Sequence, residues 1–150
     1  MTNSGTTNAA WSSTSGTHTM FVDEAITAVP QIRKKLIAAQ IHDASQDLMT
    51  VKLNYPALYL DVQGTKVYTL DANYTLGKRF TVKFVSSGGQ TRVDYNGSAN
   101  PVYTLSQSFS GAYFKAGAYL QSNCSIEGSS RCNSSNYGEV IVYNVTVTHQ

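Results

Sequence analysis

The sequence predicts an all-β sandwich or barrel, and three observations carry that prediction. Short runs of β-branched and aromatic residues recur along the chain, Gly- and Asn-rich turn signals separate them, and no internal repeat or linker interrupts the series. Charged residues make up 13% of the 150 residues, about half the share of an average globular chain. Tyr contributes 10 residues, and Ser, Thr, Asn and Gly fill the stretches between, a composition that suits an extracellular β domain. The length suits one domain with a core of its own, spanning residues 1–150.

The elements follow in order. Residues Met1 to His18 are mostly Thr, Ser, Asn, Gly and Ala around Trp11 and read as loop or edge structure. Pro30 to His42 is ambiguous: Ile32, Leu36, Ile37 and Ile41 fit a helical face about as well as Leu36 to His42 fits a strand, and propensity alone favours helix. Strands are then predicted over Leu48–Leu53, Ala57–Val62, Lys66–Leu70, Arg79–Val85, Gln90–Tyr95, Ala112–Gln121 and Glu139–Thr148. Gln63-Gly64, Gly88-Gly89 and Asn96-Gly97 supply the turns.

Charge and hydropathy exclude two partner classes. The 11 Lys and Arg residues are spread thinly over a chain of net charge +2, without the basic stripe that a nucleic-acid backbone requires. No apolar run approaches the about 18 residues that span a bilayer, and the N-terminus lacks the basic and apolar regions of a leader peptide. Neither nucleic acid nor membrane is an expected partner.

Cys124 and Cys132 flank the polar segment Ser125 to Arg131, a spacing that suits a disulfide closing a surface loop; two free thiols are the alternative. No second pair or nearby His completes a zinc shell, so no metal is expected. A disulfide implies maturation in an oxidising compartment. Asn-x-Ser/Thr sequons at Asn73, Asn96, Asn123, Asn133 and Asn144 permit secretion without requiring it. The expected location is extracellular.

The segment that carries chemistry is Tyr113 to Gln121. Alternation sends Phe114, Ala116, Ala118 and Leu120 to one face, the expected core, and Tyr113, Lys115, Tyr119 and Gln121 to the other. As a strand, Leu36 to His42 places Ile37, Ala39 and Ile41 in the core and Gln40 and His42 opposite. Each feature has a plain reading: a Gln and a His two apart on a strand are commonly just solvated, Lys115 suits any surface, and Tyr suits any sheet. Gly117 changes the balance by leaving a gap in the polar row where a sugar ring could approach.

The run Tyr-Phe-Lys-Ala-Gly-Ala-Tyr-Leu-Gln at 113–121 and Gln-Ile-His at 40–42 resemble two signature motifs of the alginate lyases of polysaccharide lyase family seven. Supporting similarity runs through Trp11, Ser-Gly-Thr-His at 15–18, Leu-Asp-Ala-Asn-Tyr-Thr-Leu-Gly at 70–77, Asp-Tyr-Asn-Gly at 94–97, Gly-Glu-Val-Ile-Val-Tyr at 138–143 and His149. The resemblance implies a β-jelly roll with a groove for an anionic polysaccharide, alginate, and it favours strand over helix for Leu36 to His42. It also implies a third motif, Arg-x-Glu-x-Arg followed by Glu, upstream of Trp11. The expectation is therefore a domain incomplete at its N-terminus and without the arginine that would face the substrate carboxylate.

By the same resemblance, Gln40 neutralises the uronate carboxylate, His42 assists as a neutralising group or as the base for guluronate, and Tyr119 serves as acid and base. Lys115, Gln121 and Tyr113 bind substrate along the groove, and no cofactor is required. Tyr has an ordinary pKa of about 10, so a basic role needs cationic neighbours, for which Arg33 and Lys115 are the local choices. Ile41 resembles the variant associated with guluronate-containing substrates. Two other readings stand beside the lyase: a non-catalytic alginate-binding module, and a lectin-like sandwich for neutral glycans.

Overall fold

The computed structural model describes residues 2–3 and 7–150. Its elements, in chain order, are β1 (Thr2–Asn3), β2 (Thr7–Asn8), β3 (Thr17–Ala28), β4 (Lys35–His42), β5 (Asp47–Asn54), β6 (Ala57–Val62), β7 (Thr65–Asp71), β8 (Arg79–Ser87), β9 (Gln90–Tyr95), β10 (Tyr103–Ser106), β11 (Tyr113–Leu120), the helical turn α1 (Cys124–Glu127) and β12 (Glu139–His149). Two five-stranded antiparallel sheets face one another, one ordered β10-β9-β8-β3-β12 and the other β11-β4-β5-β6-β7; β1 and β2 form a separate small pair. This is the all-β sandwich that the sequence predicts, with jelly-roll crossovers. Among the described residues, no helix is long and apolar enough to cross a membrane.

The core lies between the sheets. Met20, Val22 and Ile26 of β3 and Phe80, Val82 and Phe84 of β8 meet Leu36, Ala39 and Ile41 of β4, Met49, Val51 and Leu53 of β5 and Leu58 and Leu60 of β6. Alternation from Met49 to Leu53 of β5 and along β6 and β8 produces this packing, because the period of a strand is two. Tyr74, in the connection after β7, is fully buried; its hydroxyl donates to the Lys78 carbonyl at 2.6 Å and accepts from the Ile26 N–H at 2.9 Å. Burial raises that phenol to about 12.

One end of the sandwich is closed by an aromatic cluster. Trp11 stacks on His18 at 4.5 Å and leans on Phe114, and His18 Nδ1 lies 2.8 Å from Nδ1 of His149. His18 Nε2 donates to the carbonyls of Ser12 and Ser15, which fixes its tautomer and leaves His149 as donor to Nδ1. Gly16, at φ 76°, lets Thr17 N–H reach the Gln150 carbonyl at 2.8 Å; a Cβ there would collide with that carbonyl.

Several expectations are corrected. β3, the longest strand at 12 residues, is absent from the predicted runs, because His18 and Glu24 occupy buried positions in its alternation and mask the apolar pattern. β10 is also unpredicted, as is α1, capped by the Asn123 side chain on the Ile126 N–H. Of the Met1–His18 segment read as loop or edge, Met1 and residues 4–6 lie outside the described residues, β1 and β2 pair, Trp11 bridges Ala112, and Thr17 already opens β3. Over 30–42 the structure has the strand that the resemblance implies, from Lys35, and not the helix that propensity alone favours. Ile37 does not join the core row, because the β4–β5 ladder slips between it and Ala39. Of the row Phe114, Ala116, Ala118 and Leu120, only Phe114 is buried. β11 is an edge strand, and Ala116, Ala118 and Leu120 stay exposed there, Leu120 filling the space that a Cβ on Gly138 would take.

Candidate active site

The two sequence motifs become adjacent strands. β11 pairs antiparallel with β4, setting Tyr113 opposite His42, Lys115 opposite Gln40 and Tyr119 opposite Ile37. On the other side of β4, Gln40 stands opposite Thr50 and Ile37 opposite Lys52. The β4–β5 ladder slips between Ile37 and Ala39, so Ala38 is an extra residue in β4. Such a bulge reverses the alternation beyond it. Ile37 is thereby turned from the core side to the cleft side, where it lies with Gln40 and His42.

Gln40, His42, Lys115, Ala116, Gly117, Ala118 and Tyr119 line an open cleft of about 420 Å³. A second depression of about 260 Å³ adjoins it, sharing Gln40, His42 and Tyr119 and adding Gln121, Ile37 and Asp47. Gln40 is 5% exposed and Tyr119 57% exposed, so the amide sits on the floor and the phenol stands free at the wall. Gly117 has φ 120° and nothing within 4 Å of where a Cβ would sit, which keeps the gap in the polar row open.

His42 is held by its neighbours. Its Nδ1 lies within hydrogen-bond reach of the Asp43 carbonyl and 3.2 Å from the Tyr113 hydroxyl. A carbonyl only accepts, so Nδ1 carries the proton and Nε2 keeps the lone pair. Asp43 in turn caps the following turn through Ser45 and Gln46, and these donated bonds hold its carboxyl below the usual range. Lys115 Nζ sits 5.1 Å from the Tyr113 ring centroid. Tyr113 itself lines a neighbouring depression with Asn8, Ala9, Ala10, Ala44 and Gly111 rather than the cleft of Tyr119.

Sequence reasoning missed part of the floor. Thr50 and Lys52 of β5 and Tyr59 and Asp61 of β6 share the cleft face, and all four are buried. Lys52 Nζ pairs with Asp61 at 3.3 Å, and Lys66 of β7 lies 5.2 Å from the Tyr59 ring centroid. The signal was the alternation Met49-Thr50-Val51-Lys52-Leu53, in which polar residues occupy every second place. Arg33, weighed as a local cation, does not line the cleft; its backbone N–H donates to Glu127 at 2.9 Å.

Cys124 and Cys132 form a disulfide. Beside it Glu127 collects bonds from Ser122, from the backbone N–H groups of Ile32 and Arg33 and from Asn136. Burial would raise this carboxyl, but the donated bonds outweigh it and bring it down to about 2. Among the described residues, no group of three or more His, Cys, Asp or Glu is placed to hold a metal ion.

The family model for alginate lyases matches residues 1–149. The chain belongs to this family. A solved structure of the alginate lyase AlgAT5 from polysaccharide lyase family 7 is 45% identical, with a TM-score of 0.91 over 100% of this chain and 67% of that one. An alginate lyase from Corynebacterium sp. is 44% identical, with a TM-score of 0.92 over 100% of this chain and 66% of that one. Truncated AlyQ, with CBM32 and alginate lyase domains, is 32% identical, with a TM-score of 0.89 over 97% of this chain and 44% of that one. The chain thus spans about two thirds of the length of the first two alginate lyases. No curated protein matches it closely enough to count as a relative.

Proposed function

We propose that this chain cleaves alginate by β-elimination at the 4-O-glycosidic bond, with guluronate-containing stretches as substrate. The observation that carries the reading is the pairing of β4 with β11, which gathers an amide, an imidazole and a phenol around one open cleft in a member of the alginate lyase family.

The chemistry explains why these groups are needed. Removing the C5 proton beside a carboxylate builds charge on a group that is already anionic, so the carboxylate must first be neutralised. Gln40 donates to it from the floor, in the manner of an oxyanion hole. His42, with Nε2 as its lone-pair nitrogen, takes the C5 proton of guluronate, which lies across the ring from the leaving oxygen. Tyr119 gives its proton to the C4 oxygen as the bond breaks, leaving an unsaturated uronate end. Where proton and leaving group share a face, Tyr119 serves both ends of the reaction. Lys115 and Gln121 hold carboxylates and hydroxyls of neighbouring sugars, and Tyr113 orients His42 through its hydroxyl. The disulfide supports an extracellular place of work.

The test is the ultraviolet absorbance of unsaturated ends as the chain is incubated with guluronate-rich alginate, beside Tyr119→Phe. The variant should lose about 10²- to 10⁴-fold in turnover with its melting temperature unchanged, since Tyr119 is 57% exposed. Equal turnover in the two proteins would reject the role of Tyr119. A folded wild-type chain that retains alginate on an affinity gel without forming double bonds would leave a binding module in place of a lyase.

A further inference from the structure

We infer that Thr50 is a positioning residue for Gln40, its partnerless hydroxyl taking up the amide and the buried carboxylate of Asp61 when substrate enters the cleft. The inference rests on the lyase reading above and concerns how that site is held. Thr50 stands opposite Gln40 across the β4–β5 ladder and opposite Asp61 across the β5–β6 ladder. Directly opposed residues have Cβ atoms about 4.5–5.5 Å apart, within reach of rotation about side-chain bonds. All three are buried, at 5% exposure for Gln40, 0% for Thr50 and 4% for Asp61.

Asp61 is already fixed. Its Oδ1 accepts from the Gly64 N–H at 2.9 Å and pairs with Lys52 Nζ at 3.3 Å. Thr50 Oγ1, in contrast, is shut off from solvent and has no partner; of the buried polar atoms in that state among the described residues, it is the one on the cleft face. A buried hydroxyl without a partner is costly, and in native proteins such a group marks a site completed by something else.

The donor and acceptor inventory decides the direction. As the side chains stand, Thr50 Oγ1 bonds neither Asp61 nor Gln40; when substrate enters, rotation lets the hydroxyl donate to Asp61, whose carboxylate only accepts, and accept one N–H of the Gln40 amide. The second N–H of that amide is left for the uronate carboxylate. In the opposite orientation the amide oxygen would face the Thr50 lone pairs with no proton between them. Thr50 thus selects the productive amide when substrate enters the cleft, and Lys52 holds Asp61 for it.

The experiment compares the wild type, Thr50→Val, Thr50→Ser, Gln40→Ala and Thr50→Val with Gln40→Ala, on guluronate-rich alginate. Valine keeps the shape and removes the hydroxyl. Thr50→Val should lower kcat about 10- to 100-fold, the scale of a misplaced catalytic group, with little change in KM and a melting temperature equal to or above that of the wild type. Thr50→Ser should stay within about threefold of the wild type, and the double variant should be no slower than Gln40→Ala alone, because a residue acting through Gln40 has nothing further to lose. A kcat for Thr50→Val within about twofold of the wild type would overturn the inference. So would full additivity in the double variant, or rate losses in both Val and Ser variants that track a fall in melting temperature. A wild-type chain that forms no double bonds would overturn the lyase reading itself and the inference with it.

Discussion

Along β5, Met49, Val51 and Leu53 enter the core, while Thr50 and Lys52, one residue out of phase, lie on the cleft side with Gln40, Tyr59 and Asp61. Both rows are buried. The core row is apolar and interchangeable within limits of volume. The cleft row is polar, and each member has a particular neighbour: Lys52 has Asp61, and Gln40 has Thr50. If the cleft row does the chemistry proposed for it, the two faces of one sheet separate stability from chemistry, and substitutions on them should have separable effects.

The largest stability effect is expected from Phe114→Ala. Phe114 follows Tyr113, the neighbour of His42, by one position and points the other way, 3% exposed, against Trp11 at 4.8 Å and stacked with His149 at 6.2 Å. Removing a buried phenyl ring costs about 3–5 kcal/mol. Urea unfolding should show that loss, while turnover at a temperature where the variant is still folded should stay near wild type. A variant that keeps its stability but loses turnover would break the division between the faces.

Glu24 sharpens the comparison from the opposite sheet. It shares the alternation of Met20 and Val22 on β3, is fully buried, and neither carboxylate oxygen has a partner. Asp61 is buried beside a lysine and Glu127 is surrounded by donors, but Glu24 has only the nearby charge of Asp23, so burial first and that charge second raise it to about 8. The folded value lies above the ordinary 4.5, so folding favours the protonated form. Its contribution to stability is full below pH 4.5 and is lost as pH rises towards 8. By pH 7 the loss reaches about 3 kcal/mol as an upper figure. Glu24→Gln should therefore be more stable than the wild type at pH 7, and the gap should close near pH 4. Melting curves from pH 4 to 8 check this; parallel curves for the two proteins would show that Glu24 is ionised without strain.

β5, β6, β8 and β9 were legible because they obey period two and match their predicted runs closely, whereas β4 was read as a strand through the family resemblance; Gln40, His42, Lys115 and Tyr119 then meet through the β4–β11 register. What escaped was polar. β3 was hidden by His18 and Glu24 at buried positions, whose reasons are a histidine pair at one end and an unpaired carboxylate in the middle. Thr50, Lys52 and Asp61 were hidden because a buried polar row looks the same in sequence as a solvated one. Ile37 was misplaced because a single extra residue at Ala38 moves it from one face to the other, and one residue of bulge has no composition of its own.

The smallest effect on stability, and the one that bears most directly on the cleft, is expected at Gly117. Its φ of 120° lies where side chains other than glycine are strained, and its side of the cleft is empty. Gly117→Ala thus meets no atom, and its cost is conformational, about 1–3 kcal/mol. The added methyl group also stands in the gap between Lys115 and Tyr119, both of which line the same cleft. A sugar that must lie over that gap would be lifted away from the floor, so KM should rise more than kcat falls. Steady-state rates on guluronate-rich alginate distinguish the cases. An unchanged KM with a lowered kcat would mean that the bend at Gly117 serves to aim Tyr119, and the gap in the polar row would then be a by-product of the backbone rather than a seat for the ring.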